Sequence, residues 1–423
     1  MHAIPLLPLA LAALAAVASA RAADAPPAEP DDAAALQLAD KPAPAPVAHR
    51  AWRLFVEGAG GRNGWRDGIA PTTSSRGALD FRYDDTIATG LRAVLSDRLD
   101  TVRNGAPAHE RNVNSLREAY LSWHRPEDLV LDAGRVNIRH GAAWGYNPTD
   151  YFRGNALRAV VSPDPASLRE NRMGTVVLQA QKLWATGALS AAVSPRLQRR
   201  ASDSTGSLDL GATNDRTRWL ISGSHKFGER FNPELLLHGG VDTPTQLGLN
   251  ASALVTDAAV AFVEASVGRD RTLLAQALGT AEAKRMKRRA AAGLTYTTPF
   301  NLSLTAEADY SSAAPDRAQW NALSPTDRLR LLDTAQNLLE LPARRGAFLY
   351  ATWKDLLVRR LDLSGFVRWE AATHSRSQWL ETRYHWDRVD LALQWQVNSG
   401  RVDSVFGSVP QARAVELSLR LFL

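Results

Sequence analysis

The chain has no cysteine among its 423 residues. Disulfides and thiolate metal sites are therefore excluded, as is lipid attachment through an N-terminal cysteine. Long apolar runs are scarce as well. A membrane-crossing helix needs about 20 consecutive apolar residues, and the best internal stretch, 250–268, is broken by Asp257 and Glu264. Catalytic spacing is missing too. The histidines are scattered, with neither H-E-x-x-H nor paired ligand spacing. The segment 222–228 lacks G-x-S-x-G, and no Walker loop or G-x-G-x-x-G lies between a strand and a helix. His140, Asp150 and Glu170 fall near one loop, an ordinary density of polar groups. The chain reads as non-enzymatic, without cofactor, metal or nucleic-acid partner.

What the sequence does have is alternation. Trp52, Leu54 and Val56 share one face and Arg53 and Glu57 the other. Leu79, Phe81 and Tyr83 alternate with Asp80, Arg82 and Asp84; Thr89, Leu91, Ala93 and Leu95 with Arg92, Ser96 and Arg98. The same period of two returns at Leu302–Tyr310, Leu361–Glu370, Val389–Val397 and Val415–Leu423. That period marks strands with two unlike faces. A soluble sandwich alternates too, but here the polar face is heavily charged. Aromatics also gather near segment ends, at Trp52, Tyr83, Trp123, Tyr310, Trp369 and Trp386, as in the girdles of membrane barrels.

The pattern predicts an all-β transmembrane antiparallel up-and-down barrel of about 18 strands, or 16 if one pair near 232–268 is misread. Strands of about 10 residues suit a tilted membrane crossing. Expected starts lie near 51, 76, 87, 114, 128, 172, 186, 215, 232, 246, 258, 287, 301, 344, 360, 377, 388 and 412. Gaps alternate in length. Tight turns are expected at Asp84–Asp85, 125–127, 228–231, 299–300 and 356–358, and mostly long loops between them on the other side. Short periplasmic turns and long extracellular loops are the outer-membrane pattern. Closure removes edges that lipid does not tolerate.

The N-terminus differs. Ile4–Val17 is apolar and followed by small-residue cleavage patterns, which reads as a signal peptide at 1–22. Residues 23–50 read as a disordered periplasmic Ala/Pro-rich linker, and 51–423 as the barrel in the bacterial outer membrane. Both termini of the mature chain would then be periplasmic, with no plug-sized domain ahead of the barrel.

Two loops carry helix signals. In 324–342, Ser324 is the N-cap, Pro325 the first helical residue and Asp327 lies three after the cap. Leu331, Leu332, Ala335, Leu338 and Leu339 line one face, and Pro342 ends it. A second helix is expected over 270–288, its basic end running Lys284–Arg289. Both helices are expected to bury their apolar faces locally and pad the barrel mouth; the alternative is that the basic cluster contacts outer-membrane lipid and lipopolysaccharide phosphates.

The loop at 140–171 follows a strand whose inward face should show Arg135, Asn137 and Arg139. Val136 and Ile138 would then face lipid, because a charge there costs about 2–4 kcal/mol. Trp144, Tyr146, Asp150, Tyr151 and Phe152 make this loop the candidate constriction. A loop this long either folds into the lumen or stands outward.

At these residues the chain resembles a group of proteobacterial outer-membrane barrel proteins that share G-R-x-x-x-R-x-G after a strand, then N-P-[TL]-D. Gly134, Arg135, Arg139, Gly141 and Asn147–Asp150 match it, and the likeness extends over most of the barrel. The resemblance implies a porin-like outer-membrane barrel and no particular substrate.

The function these features predict is passive diffusion of small solutes through a charged, water-filled lumen. The expected pore lining is Arg53, Glu57, Asp80, Arg82, Arg92, Glu118, Arg135, Asn137, Arg139, Glu307, Asp309, Arg368, Glu370, Glu381, Arg383, Glu416 and Arg420. Facing rows of opposite charge would set a transverse field; otherwise the pairs merely cross-link the wall. Arginines and acids are equal in number in this list, eight of each, and the expected selectivity is weakly anionic at best. Two alternatives stand beside this reading. One is the outer-membrane component of a dedicated export system. The other is a lateral-opening uptake channel for hydrophobic compounds, suggested by Phe55, Phe366 and Phe422. The last strand, Val415–Leu423, resembles the targeting strand read by the barrel-assembly machinery, with Phe422 penultimate rather than last.

Overall fold

A computed structural model describes residues 50–104, 110–126, 128–202 and 204–423. The expected signal peptide and, apart from Arg50, the linker lie outside the described residues. Residues Ala51–Leu423 form one unit. Its strands are β1 (Trp52–Trp65), β2 (Thr72–Ala88), β3 (Leu91–Asn104), β4 (Glu110–Arg125), β5 (Leu129–Val136), β6 (Thr175–Trp184), β7 (Gly187–Ser194), β8 (Arg218–His225) and β9 (Phe231–Gly240). They continue as β10 (Thr243–Thr256), β11 (Ala259–Asp270), β12 (Arg285–Thr297), β13 (Leu302–Ser311), β14 (Arg345–Trp353), β15 (Leu361–Glu370), β16 (Ser375–His385), β17 (Val389–Ser399) and β18 (Gln411–Phe422). Every expected start lies within four residues of an observed one, the widest offsets being 76 against Thr72, 87 against Leu91 and 114 against Glu110.

Each strand pairs antiparallel with the next. β18 then pairs with β1 from Phe55↔Phe422 to Trp65↔Gln411, which closes an 18-stranded barrel. No edge remains to present unpaired backbone to lipid. The outward face is apolar and bare: Val56, Leu79, Leu121, Leu349 and Leu417 are each 44–51% exposed. A soluble sandwich buries such residues; here they form a lipid-facing band.

Connections are mostly long on one rim, with 241–242 and 371–374 the short exceptions, and short on the other. The long rim carries 137–174, 195–217, 271–284, 312–344 and 400–410; the other has turns such as 89–90, 185–186 and 257–258. The first short turn differs from expectation. β2 runs through Asp84 and Asp85 to Ala88, because Asp84 is a wall residue, 2.6 Å from Arg92. The turn falls at Gly90, whose φ of +72° suits glycine.

Five short helices sit in the long connections: α1 (Pro165–Glu170), α2 (Leu210–Thr213), α3 (Leu273–Leu278), α4 (Arg317–Asn321) and α5 (Pro325–Leu338). α5 is the predicted amphipathic helix, with Ser324 capping the Asp327 N–H. Its Leu331 and Ala335 pack with Leu273, Trp320, Ala343 and Val405 into a small core over the long-loop rim. The second predicted helix is only α3. Its supposed basic end is β12, where Lys287 and Arg289 are buried and Met286 and Arg288 are exposed, so period two overrides the helical reading.

Inside, the wall from β1 to β3 and β18 is bound by ion pairs. Glu57 accepts from Arg98 at 3.1 Å and Arg420 at 2.7 Å, and also from Arg76. Arg98 also meets Asp100 at 3.0 Å and Asp80 at 3.4 Å, and Arg76 reaches Glu416 at 3.0 Å. Glu57 therefore staples β1 to β2, β3 and β18 across the seam where the chain ends meet. Replacing Glu57 with Ala leaves buried guanidiniums short of a counter-charge, which costs about 3 kcal/mol. Urea unfolding of the refolded barrel, followed by heat-modifiable mobility, should show the midpoint falling accordingly; an unchanged midpoint would remove the seam from the account.

Candidate functional site

The site is the segment 137–174, which leaves β5 and folds into the barrel. β5 stops at Val136, and Ile138 turns inward to join Phe152, Val177, Ala192, Leu220 and Leu236, with Val136 packed against them. This corrects the expected phase. Val136 and Ile138 are apolar residues on the inside because the lumen at this height is filled by protein. Arg135 pairs across Ala119 and Val176, and its buried guanidinium donates to the Leu116 carbonyl at 2.9 Å. Arg139 is exposed. Asn137 binds within the loop, to the Arg169 carbonyl and the Arg172 side chain.

Two carboxylates on the opposite wall hold the loop by its backbone. Glu264 of β11 accepts from the Ala143 N–H at 2.7 Å, and Glu307 of β13 from the N–H groups of Trp144 at 2.5 Å and Gly145 at 2.9 Å. Thr149 donates to Asn250 at 2.6 Å and to Glu264 at 3.2 Å. Gly141, at φ +85°, passes so close that a Cβ would lie 2.3 Å from the Glu264 carboxylate. Charge-assisted bonds from backbone donors are about twice as strong as neutral ones, so short side chains here fix a main-chain path across the lumen.

Aromatic contacts complete the anchoring. The Trp144 ring lies 5.5 Å from that of Tyr350 and packs on the Phe348, Phe366 and Trp379 cluster. Tyr151 stacks on His238 at 4.6 Å and bonds Ser266 at 3.0 Å. Arg172 pairs with Asp150 at 2.5 Å.

A clamp joins this loop to the long-loop rim. Glu340, just past α5, accepts from Tyr146 Oη at 2.8 Å, Arg153 at 2.7 Å and Arg289 at 3.0 Å. Burial by itself would raise the Glu340 pKa, but the Arg289 and Arg153 guanidiniums outweigh it and hold the carboxyl below its ordinary value. Burial, with the Glu340 charge adding to it, pushes the Tyr146 phenol up, so its proton stays to donate.

Between the loop and the remaining wall lies a cavity of about 630 Å³. The loop contributes Trp144, Tyr146, Asp150, Arg153, Arg169 and Arg172; the wall contributes Arg76, Arg368, Trp379, Gln394, Gln396 and Glu416. Arg169 lies 4.6 Å over the Trp144 ring and donates to the Ala143 carbonyl. Arg368 donates to the Gly145 carbonyl at 3.0 Å. Neither guanidinium forms a salt bridge among the described residues, unlike Arg76, Arg153 and Arg172 beside them.

The predicted residues thus divide. Trp144, Tyr146, Asp150, Arg368 and Glu416 line the cavity, whereas Tyr151 and Phe152 turn to the wall. Arg53 meets Glu170 of α1 at 3.1 Å. Arg82, Arg92 and Glu118 form a partly exposed network with Asp84. Glu57 and Asp80 are buried in the seam, and Arg420 reaches Glu57 from β18. Glu381 and Arg383 pair at 2.9 Å. Glu370 is buried and caps the turn at Ala372 and Thr373. Asp309 is buried. The charged rows pair along the wall rather than facing each other across the bore.

Glu264, Glu340, Arg117, Arg153, Arg169 and Arg172 are absent from the expected lining, and Arg98 is expected only on a polar face, with no role. Glu264 had a visible signal, a lone acid in an apolar run. Arg117 had none: a bulge between Leu116 and Glu118 lets Arg117 and Glu118 both point inward.

No family model matches the chain, and no curated protein matches it. Solved structures match in fold. OccK2 (OpdF) of Pseudomonas aeruginosa, in complex with glucuronate, aligns with a TM-score of 0.55 at 13% identity, over 88% of this chain and 97% of that one. A BenF-like porin from Pseudomonas fluorescens aligns at 0.55 and 11% identity, over 88% and 98%. OccAB1 of Acinetobacter baumannii aligns at 0.55 and 9% identity, over 88% and 96%. The chain has the 18-stranded fold of these barrels.

The lowered Glu340 pKa has a signed consequence. A depressed carboxyl stabilises the fold above its unfolded pKa of about 4.3 and loses that contribution as pH falls through the folded value. Glu340→Gln should therefore lower the urea midpoint at neutral pH, and the gap from wild type should close in strong acid. A gap that persists there would place the clamp's energy elsewhere.

Proposed function

We propose that the protein is an outer-membrane channel that passes small polar solutes by diffusion through the gap between the inward loop and the facing wall. The loop held at Glu264 and Glu307 is the observation that carries this reading. A closed 18-stranded wall without a filling would be a wide aqueous channel; the loop reduces it to a space of ligand size. Arg169 and Arg368, free of carboxylate partners, favour small organic anions. A neighbouring fold bound to glucuronate, a sugar carboxylate, supports that class. With the long loops outside, both ends of the barrel chain are periplasmic. β18 places Leu417, Leu419, Leu421 and Leu423 outward, which suits recognition of Val415–Leu423 by the assembly machinery. The G-R…N-P-T-D motif, on this account, marks the inward loop, because Gly141 and Thr149 both sit on Glu264. The inward rings of Phe55 and Phe422 meet at a tilt, 5.6 Å apart, and Phe366 stacks on Trp379 at 5.7 Å, so they serve the wall.

Single-channel recording in planar bilayers tests the reading. The refolded protein should give stable steps, with a reversal potential under a salt gradient on the anion side. Arg169→Gln with Arg368→Gln should move that potential toward the cation side without reducing step size. Silence from a correctly folded barrel would refute a conducting pore.

A further inference from the structure

Most interior arginines are paired with carboxylates, and Arg135, Arg169, Arg218 and Arg368 donate to backbone carbonyls instead. On the outside, at the long-loop rim, a set of arginines does neither. Register places Arg269 (β11), Arg288 (β12), Arg345 (β14), Arg376 (β16), Arg413 (β18) and Arg62 (β1) on the lipid-facing parity. Each shares its face with an exposed apolar residue lower on the same strand, such as Val263, Leu294, Leu349, Leu380, Leu417 and Val56. All six are exposed. None makes a side-chain ion pair or hydrogen bond among the described residues.

The arrangement is an arc rather than a scatter. It runs from β11 round to β1, about half of the wall. The outward residues of its last rows include no Asp or Glu; beside the arginines stand Val267, Ala290, Tyr310, Trp369, Val397 and Val415, among others. Tyr310 is the register partner of Arg345, and Trp369 of Arg376, so guanidiniums stand level with the aromatic girdle and above it. Two close diagonals occur. Arg269 pairs with Met286, which puts Arg288 two residues along the neighbouring strand. Arg413 pairs with Gly64, which puts Arg62 two residues along. Such diagonals lie about 7–8 Å apart, within reach of long side chains, so both guanidiniums can close on one anion. The short-turn rim has mixed signs instead, Asp355 and Asp387 near Arg359 and Arg360.

We infer that this arc binds the phosphate groups of lipid A in the outer leaflet. The inference rests on the membrane-spanning part of the proposed function, and on nothing in the pore. A guanidinium offers a phosphate two parallel donors in a fixed plane. The lipid chains lie on the apolar band beneath. The two diagonals each hold one phosphate between two arginines, and Arg345 and Arg376 extend the surface between them.

The test uses the refolded full chain in micelles, with binding read as the rise in thermal midpoint during titration of bis-phosphorylated lipid A. Lipid A without phosphates and phosphatidylglycerol are the comparison probes. The midpoint should rise with the bis-phosphorylated form alone. Arg269→Gln with Arg288→Gln, and separately Arg62→Gln with Arg413→Gln, should each weaken apparent affinity roughly tenfold or more. Both variants should keep wild-type mobility and conductance, because the side chains point away from the lumen. An equal rise with dephosphorylated lipid A, or unaltered affinity in both variants, would overturn the inference. An equal rise with phosphatidylglycerol would overturn it as well, because the arc would then take any anionic phospholipid. Lipid binding by a barrel that never conducts would refute the pore and leave this surface standing.

Discussion

Everything about the bore depends on three backbone N–H groups that end on two carboxylates. Ala143, Trp144 and Gly145 donate to Glu264 and Glu307. A loop crossing a lumen must satisfy its own peptide groups away from the ladders of the wall. Fixed acids in the wall meet that need at the middle of the crossing. They also lock the path, since a charged acceptor buried without donors would be costly. From this anchor follow the seating of Trp144 on the Phe348–Trp379 cluster, the stacking of Tyr151 on His238, and the position of the cavity.

The wall divides its labour accordingly. From β9 to β15 the inside is committed to the loop, with Glu264, Glu307, Phe348 and Arg368 all touching it. From β1 to β4 and at β18 the inside is bound mainly to itself, through the Glu57 and Asp80 networks, and meets the loop only at its far end, where Arg53 pairs with Glu170 and Arg117 donates to Asn171. The open space lies between the two. Glu340 extends the anchoring upward, because it ties Tyr146 and Arg153 to the segment after α5. The constriction is therefore supported from the wall and from the rim together.

The strands were legible because a half-wet, half-lipid wall enforces period two with little latitude. That rule also exposed the outward arginines once register was known. What the sequence hid was tertiary. Val136 and Ile138 looked lipid-facing because the lumen was assumed wet at their height; the folded loop makes it an apolar interior. Arg117 was hidden by a bulge that shifts the phase by one residue. The segment Lys284–Arg289 has the charge of a helix end, but from Arg285 onward its side chains alternate between lumen and outside as β12. The inward turn of 137–174 depends on main-chain donors, which leave no mark in side-chain pattern; only the aromatics and Gly141 hinted at it.

The fixed loop is the claim on which the cavity stands, and a cross-link tests it directly in a chain that lacks cysteine. Thr149→Cys with Asn250→Cys joins loop to wall where the native side chains touch at 2.6 Å. The account predicts that the disulfide forms on mild oxidation and that single-channel conductance is the same before and after its reduction. Failure of the disulfide to form in a folded barrel, or conductance that grows when it is reduced, would contradict a loop held in the lumen.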